Sequence, residues 1–256
     1  MKKITAFIAS GLLLTTMSLT AQDDTNGVRL FQSFNYDAPI NGATFGEGFF
    51  TYNSFNGASS MIFGAQGGLP LNEQMQINVN LGFQRFSANG FSSSGLQDVH
   101  VYGRYKVMEN DQMQFSAVAQ ISLPVGKEEI GGGKLNFGGF GAVRYDMGNG
   151  IIITGNAGLL FMETTVYNFN STTFQVEEST EYSSALRLGG GGIYPLNDDT
   201  SIVGELVIIT ETNYTALSVG ADKQLAAGRA RAGIALGLDD GAPDLQVMVS
   251  FLKDLN

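Results

Sequence analysis

Apolar and polar residues alternate one by one through the middle of the chain. From Met75 to Phe83 every odd position is apolar, and the polar side chains of Gln76, Asn78 and Asn80 lie between them. The alternation resumes from Val99 to Val107, where polar and charged side chains take the even positions. A period of two is that of a β-strand. A continuous apolar face opposite a polar face is typical of a sheet closed into a cylinder in lipid, with its polar side chains toward a wet lumen.

Short turns and longer connections alternate along the rest of the chain. Short breakers lie at Pro70-Leu71-Asn72, Glu109-Asn110-Asp111, Gly148-Asn149-Gly150, Leu196-Asn197-Asp198 and Ala226-Ala227-Gly228. Longer connections run from Ser87 to Gly95, Val125 to Lys134, Thr165 to Ser179 and Asp239 to Pro243. Outer-membrane barrels have tight periplasmic turns and longer external loops. The pattern therefore places the short turns on the periplasmic side.

These boundaries predict an all-β fold, a closed antiparallel transmembrane β-barrel of about twelve strands, with ten or fourteen as the alternatives. The predicted strands are Phe45 to Phe55, Ala58 to Leu69, Glu73 to Phe86, Leu96 to Met108, Gln112 to Pro124, Leu135 to Met147, Ile151 to Thr164, Glu181 to Tyr194, Ser201 to Glu211, Tyr214 to Leu225, Arg229 to Leu238 and Asp244 to Lys253. The side chains expected to face lipid include Met75, Val101, Leu159 and Val247. An aromatic belt at the periplasmic interface is expected from Tyr105, Tyr145, Tyr194 and Phe251.

Two hairpins test whether the predicted faces agree. A three-residue loop at 148–150 pairs Tyr145 with Ile153 on the apolar face and Arg144 with Thr154 on the polar face. A two-residue loop at 226–227 places Asp222 opposite Arg231, again on the polar face. We therefore expect an ion pair between Asp222 and Arg231 inside the barrel.

The amino-terminal residues predict export. Two lysines follow Met1, residues 4–14 are largely apolar, and small residues precede Gln22. The apolar run is shorter than the ~17 residues that a membrane-spanning helix needs, so residues 1–21 are interpreted as a signal peptide cleaved after Ala21. Residues 22–42 are left out of the wall, because another strand would give an odd count, and are expected in the periplasm or in the lumen. Residues 43–256 form the predicted barrel in the bacterial outer membrane.

Composition excludes several functions. The net charge of -10 argues against nucleic-acid binding. The chain has no cysteine, and His100 is its one histidine, so a metal site with several nitrogen or sulfur ligands cannot form and no cofactor is expected. Three serines at 92–94 lie near His100, but His100 shares a face with Arg104 and Lys106, which favours a protein that is not an enzyme. The expected partners are outer-membrane lipid and lipopolysaccharide, the barrel-assembly machinery and a small-molecule permeant.

Charged residues recur on the face predicted to line the lumen. The candidates are Asp98, His100, Arg104, Lys106, Arg144, Asp146, Arg187, Glu205, Asp222, Arg229 and Arg231. They fit two readings, a salt-bridge network that fills a closed barrel and a constriction that filters solutes. Two aromatic residues, Phe50 and Tyr52, are candidates for the lumen or a gate because they lie on the face opposite Phe45, Phe49 and Phe55. Aromatic surface in the lumen favours an apolar or aromatic permeant.

Three segments carry a resemblance to a known family. They are residues 94–106, Ser-Gly-Leu-Gln-Asp-Val-His-Val-Tyr-Gly-Arg-Tyr-Lys, residues 121–126, Ile-Ser-Leu-Pro-Val-Gly, and residues 242–247, Ala-Pro-Asp-Leu-Gln-Val. The chain resembles outer-membrane transporters associated with the meta pathway of phenol degradation, which implies a barrel that admits aromatic or other hydrophobic compounds. We therefore expect an outer-membrane channel for passive passage of small solutes. The alternative is a closed barrel with a structural or surface-interaction role and no conducting pore.

Overall fold

The computed structural model describes residues 27–148, 150–170 and 175–255, without the side chains of residues 167–170 and 175–178. The predicted signal peptide, the start at Gln22 and Asn149 of one predicted turn lie outside the described residues. Among the described residues, no helix has the length and apolar character of a membrane span.

Antiparallel strands make up almost all of the described chain. They are β1 (Phe45–Phe55), β2 (Ala58–Asn72), β3 (Met75–Ala88), β4 (Phe91–Leu96), β5 (Val99–Glu109), β6 (Met113–Leu123), β7 (Asn136–Asp146), β8 (Ile152–Asn170), β9 (Gln175–Asn197), β10 (Thr200–Ile209), β11 (Tyr214–Leu225), β12 (Gly228–Gly237) and β13 (Leu245–Asp254), with one helical turn α1 (Glu128–Gly131). Neighbouring wall strands pair in chain order, and β1 pairs with β13. The wall is therefore a closed barrel of twelve strands, with β4 as an additional short strand, and the predicted fold class is confirmed.

The prediction of a loop from Ser87 to Gly95 is right only at Asn89 and Gly90, because β3 continues to Ala88 and β4 begins at Phe91. Asn89 and Gly90 both have positive φ, 48° and 84°, which is the geometry of a two-residue hairpin turn that Asn-Gly favours. Residues Phe91–Leu96 pair with the last residues of β3, 83–88, while β5 pairs with its first residues, 75–80. The single strand predicted from Leu96 to Met108 is thus interrupted between β4 and β5.

A second connection is also mostly strand. The stretch from Thr165 to Ser179 is predicted to be one of the longer connections, but β8 continues to Asn170 and β9 begins at Gln175. The two strands pair from Ile152↔Ile193 as far as Asn170↔Gln175. The hairpin continues well past the ends of the neighbouring strands because the main-chain hydrogen bonds between its two strands form without contact with lipid.

The faces of the wall follow the alternation. Met75 and Leu159 are exposed on the outside, while Gln76 and Asn78 are buried inside. Val101 lies opposite Val79 and Ile121 on its two neighbouring strands, and Val247 lies opposite Ile234. These partners are exposed on the outside, so Val101 and Val247 share the outer face. The aromatic belt is outward as predicted, with exposed side chains at Tyr105, Tyr145, Tyr194 and Phe251.

Candidate functional site

The lumen holds the residues that precede β1. We call Val28 to Asn41 the plug segment; it is mostly buried, contains one turn of 3-10 helix at Phe34–Tyr36, and pairs with no strand. One end lies by the periplasmic mouth, where Gly27 is close to Arg229 at the start of β12. The other end returns to that mouth, since the Asn41 amide donates to Gln76 at 2.7 Å before β1 begins. The plug segment is therefore a loop inserted from the periplasmic side.

Three apolar clusters join the plug segment to the wall. Their members are Tyr36 and Ala38 with Tyr102, Val118, Phe140 and Ala142; Val28 and Leu30 with Ile152, Ile193 and Val203; and Phe34 with Phe45 and Leu252. The Tyr36 ring meets Tyr102 and Phe140 edge to face, with centroids 5.5 and 4.8 Å apart. Each large apolar side chain buried in this way stabilises the inserted state by roughly 1.5–3 kcal/mol.

Four wall arginines donate hydrogen bonds to oxygen atoms of the plug segment. Arg104 donates to the carbonyls of Phe34 (3.2 Å) and Pro39, Arg144 to Val28 (2.7 Å), Arg231 to Arg29 (2.8 Å) and Leu30 (2.7 Å), and Arg187 to the Ser33 hydroxyl (3.0 Å). A guanidinium has five N–H donors and no acceptor. In these contacts the wall supplies the donors and the plug segment supplies the acceptors.

Asp37 is the one carboxylate that the plug segment brings into the lumen, and its side chain is fully buried. Its Oδ1 accepts from the Thr154 hydroxyl at 2.8 Å and from the Ala38 amide at 2.9 Å, and its Oδ2 lies 3.8 Å from Nη1 of Arg144. Arg104 is also close enough to interact electrostatically with Asp37. A buried carboxylate needs such partners because its desolvation is costly.

A second charged group belongs to the wall alone. Asp222 lies 3.3 Å from Nε of Arg231 and 2.8 Å from Nη2 of Arg229, and Arg231 also pairs with Glu47 at 2.9 Å. The predicted pairing of Asp222 with Arg231 across the hairpin is confirmed. Sequence reasoning missed Glu47, although its position between Phe45 and Phe49 was a signal that this face of β1 points inward.

The remaining charged candidates fall in different places. Glu205 faces the plug segment and accepts from the amides of Phe31 (3.1 Å) and Gln32 (2.9 Å). Lys106 pairs with Glu109 at 2.5 Å near the periplasmic end, and Asp146 accepts from the Gly148 amide at 2.7 Å in an exposed turn. Lys106 lies apart from the central arginines, whereas Asp146 is close enough to interact electrostatically with Arg144.

Asp98 and His100 lie toward the external end. Asp98 is buried and accepts from the Gly126 amide at 3.0 Å, which ties the β4–β5 interruption to the connection after β6. The His100 ring stacks on Tyr102 with centroids 6.4 Å apart. In the same connection the Lys127 ammonium lies 3.0 Å from Glu129 and lowers the pKa of that carboxyl.

The placement of Phe50 and Tyr52 in the lumen is wrong. Phe50 packs at 4.9 Å against Phe63, which is 59% exposed on the outer face, and Tyr52 pairs with the outward Met61. The physical reason is Glu47, whose charge needs the interior. The residues in phase with it, Phe45 and Phe49, therefore point inward instead.

A cavity of about 370 Å³ lies above the plug segment. Its aromatic lining is Phe31, Phe34, Tyr36, Phe49, Tyr102 and Tyr214, with Phe50 of β1 also lining it although its ring packs on the outward Phe63. Its polar lining includes Gln32, Gln66, Arg187 and Gln246. The Tyr214 hydroxyl donates to Gln32 Oε1 at 2.8 Å, while Gln32 Nε2 and Gln246 Oε1 have no hydrogen-bond partner among the described residues. The cavity thus combines aromatic surface with a few polar residues, as small-molecule sites do.

Comparisons with solved structures agree with the fold. The COG4313 outer membrane channel from Pseudomonas putida F1 has a TM-score of 0.65 at 16% identity, over 85% of this chain and 97% of that chain. The NanC porin has a TM-score of 0.53 at 10% identity, over 82% and 100%. The KdgM porin, solved with disordered oligogalacturonate, has a TM-score of 0.53 at 9% identity, over 82% and 99%. No protein-family model and no curated protein matches the chain.

Proposed function

We propose that this chain is a channel of the bacterial outer membrane for passive passage of small solutes, closed in this structure by its own plug segment. A closed barrel with an apolar outside supports the membrane location, because no backbone edge is left unpaired in lipid. We further propose that lipid and lipopolysaccharide contact this outer face and that the barrel-assembly machinery inserts it. No step of this function needs a catalytic residue or a cofactor.

One observation carries the channel reading: the plug segment is independent of the wall's hydrogen-bond ladder. The twelve wall strands close through β1 and β13 without it. Its withdrawal would therefore break side-chain contacts and leave the barrel intact. Both of its ends lie at the periplasmic mouth, so it can leave without threading through the lumen.

The cavity supports a permeant with aromatic or apolar character. Seven aromatic residues line it, and the polar residues Gln32, Arg187 and Gln246 lie among them. The resemblance to the transporters associated with the meta pathway of phenol degradation supports the same class of solute. We propose membership in that family on these grounds.

The plug segment also supports the alternative, a closed structural barrel, because it fills the inner half of the lumen. The two functions differ in one property, which is whether the plug segment moves. A disulfide between Ser33→Cys and Gly189→Cys would fix it. A β-carbon at position 189 would lie 2.8 Å from Ser33 Oγ, which is about where the sulfur of a cysteine at position 33 would lie. The two β-carbons can therefore reach the ~3.8 Å of a disulfide.

The measurement is solute flux into proteoliposomes and conductance in planar bilayers, for the oxidised and reduced forms of this variant. We expect the wild type and the reduced variant to conduct and the oxidised variant to fall to background. The reduced form also controls for contact with the Asn156 amide, which lies 2.7 Å from the added β-carbon. Absence of flux in both wild type and reduced variant would favour the structural barrel. Unchanged flux after oxidation would show that solutes pass without movement of the plug segment.

A further inference from the structure

The wall arginines fall into two groups according to where their acidic partners lie. Arg229 and Arg231 pair with carboxylates of the wall, Asp222 and Glu47. The ion pair of Arg144 is instead with Asp37 of the plug segment, and Asp37 is also the acid that acts on Arg104. Withdrawal of the plug segment would therefore remove a carboxylate from the second group and leave the first group paired.

Withdrawal leaves the net charge of the inner lumen unchanged and positive. The plug segment takes away one positive and one negative buried side chain, Arg29 and Asp37. The wall then presents Arg104, Arg144, Arg187, Arg229 and Arg231 against the carboxylates of Glu47, Asp146, Glu205 and Asp222. An excess of positive charge in a narrow passage with walls of low dielectric constant attracts anions.

The surroundings of Asp37 have the composition of a carboxylate-binding site. Thr154 contributes a hydroxyl donor at 2.8 Å, and the guanidinium groups of Arg144 and Arg104 contribute positive charge from two other strands. Arginine is suited to this task because its planar donors match a carboxylate. All three side chains belong to the wall and stay in place when Asp37 leaves.

Building on the proposed function, we propose that Asp37 occupies the place of the permeant's carboxylate, which Arg104, Arg144 and Thr154 bind when the plug segment withdraws. The channel then selects small carboxylates, and the aromatic cavity above the plug segment favours those that carry a ring. Exchange of one carboxylate for another keeps the arginines paired. An anionic permeant therefore lowers the free-energy cost of opening, which a neutral solute of the same shape cannot do.

The test compares uptake of benzoate and benzamide into proteoliposomes, because the two probes share a ring and differ in charge. We expect the full-length wild type to prefer benzoate, and Arg144→Gln or Arg104→Gln to lower the benzoate-to-benzamide ratio by about tenfold, the size expected for one charge-assisted hydrogen bond. Asp37→Asn should raise uptake of both probes and keep the preference. The matched control is Arg85→Gln, which removes an exposed arginine that pairs with the outward Met61.

Heat-dependent gel mobility would establish that each barrel is folded. The reversal potential of the wild type in a KCl gradient gives a result that needs no variant, and a preference for cations would overturn the inference. Equal uptake of benzoate and benzamide by the wild type would overturn it too, while leaving the channel function standing. Absence of uptake of both probes, with Asp37→Asn as well as wild type, would overturn the inference and the proposed function together.

Discussion

Removal of Arg231 should destabilise the barrel through Glu47 more than through Asp222. Both acids are buried, but Asp222 keeps Arg229 at 2.8 Å, whereas Glu47 loses its ion pair and keeps a hydrogen bond from Gln66. Loss of one partner of a buried pair costs roughly 3 to 5 kcal/mol because a charge stays behind. We therefore expect Arg231→Met to lower the free energy of unfolding by about that amount.

A double-mutant cycle assigns this cost to its partner. Glu47→Gln removes the charge and retains an acceptor for Gln66, so the double variant with Arg231→Met should recover roughly 2 kcal/mol, within the range of coupling energies between neighbours. Asp222→Asn with Arg231→Met should recover less than about 1 kcal/mol. The assay is urea unfolding in detergent micelles followed by far-UV circular dichroism, since the chain has no tryptophan to report by fluorescence. Additive losses for Arg231 and Glu47, or a larger coupling with Asp222, would refute the reasoning.

Three further predictions test the plug segment and the faces of the wall. Gly220→Ala would place a methyl group 2.4 Å from the Phe31 ring and 2.6 Å from the Ala232 carbonyl oxygen, so it should push the plug segment out, raise conductance and lower barrel stability, while the control Gly204→Ala, with nothing within 4 Å, should do neither. Tyr36→Ala should cost the inserted state roughly 3 to 5 kcal/mol and raise open probability in bilayers, and an unchanged probability would contradict the contacts described for that ring. Phe50→Arg should lower barrel stability in lipid by about 2–4 kcal/mol if it lies near the bilayer midplane, whereas a neutral effect would mean that the side chain reaches water.

The strict alternation of the sequence made most of the wall predictable. A residue on the wrong face of a strand would expose a polar group to lipid, so the pattern between Met75 and Phe83 admits one register. The outcome was different for β1, where aromatic side chains occur on both faces and do not distinguish them. Glu47 and Asn53 on the inward face carried that information, and the aromatic residues around them are why Phe50 and Tyr52 were assigned to the wrong side.

The contacts of the plug segment could not be predicted in the same way. Residues 28–41 have neither a period of two nor a helical period, and their burial depends on wall side chains that are far apart in sequence. Arg187 and Ser33, for example, are separated by more than a hundred residues and meet only because the barrel closes. The hairpin at Asn89-Gly90, by contrast, carried a turn signal in the sequence. It was missed because the strand that follows, β4, has only six residues.

The continuity of the plug segment with β1 makes closure an intramolecular reaction. Only residues 42–44 separate Asn41 from Phe45, so a withdrawn plug segment remains tethered at the mouth that it left. A short tether holds its end at an effective concentration in the millimolar range. A solute that displaces Asp37 competes against that concentration and not against the amount of protein in the membrane. A higher solute concentration would then be needed for passage, and the outer membrane would stay closed toward compounds present only in traces.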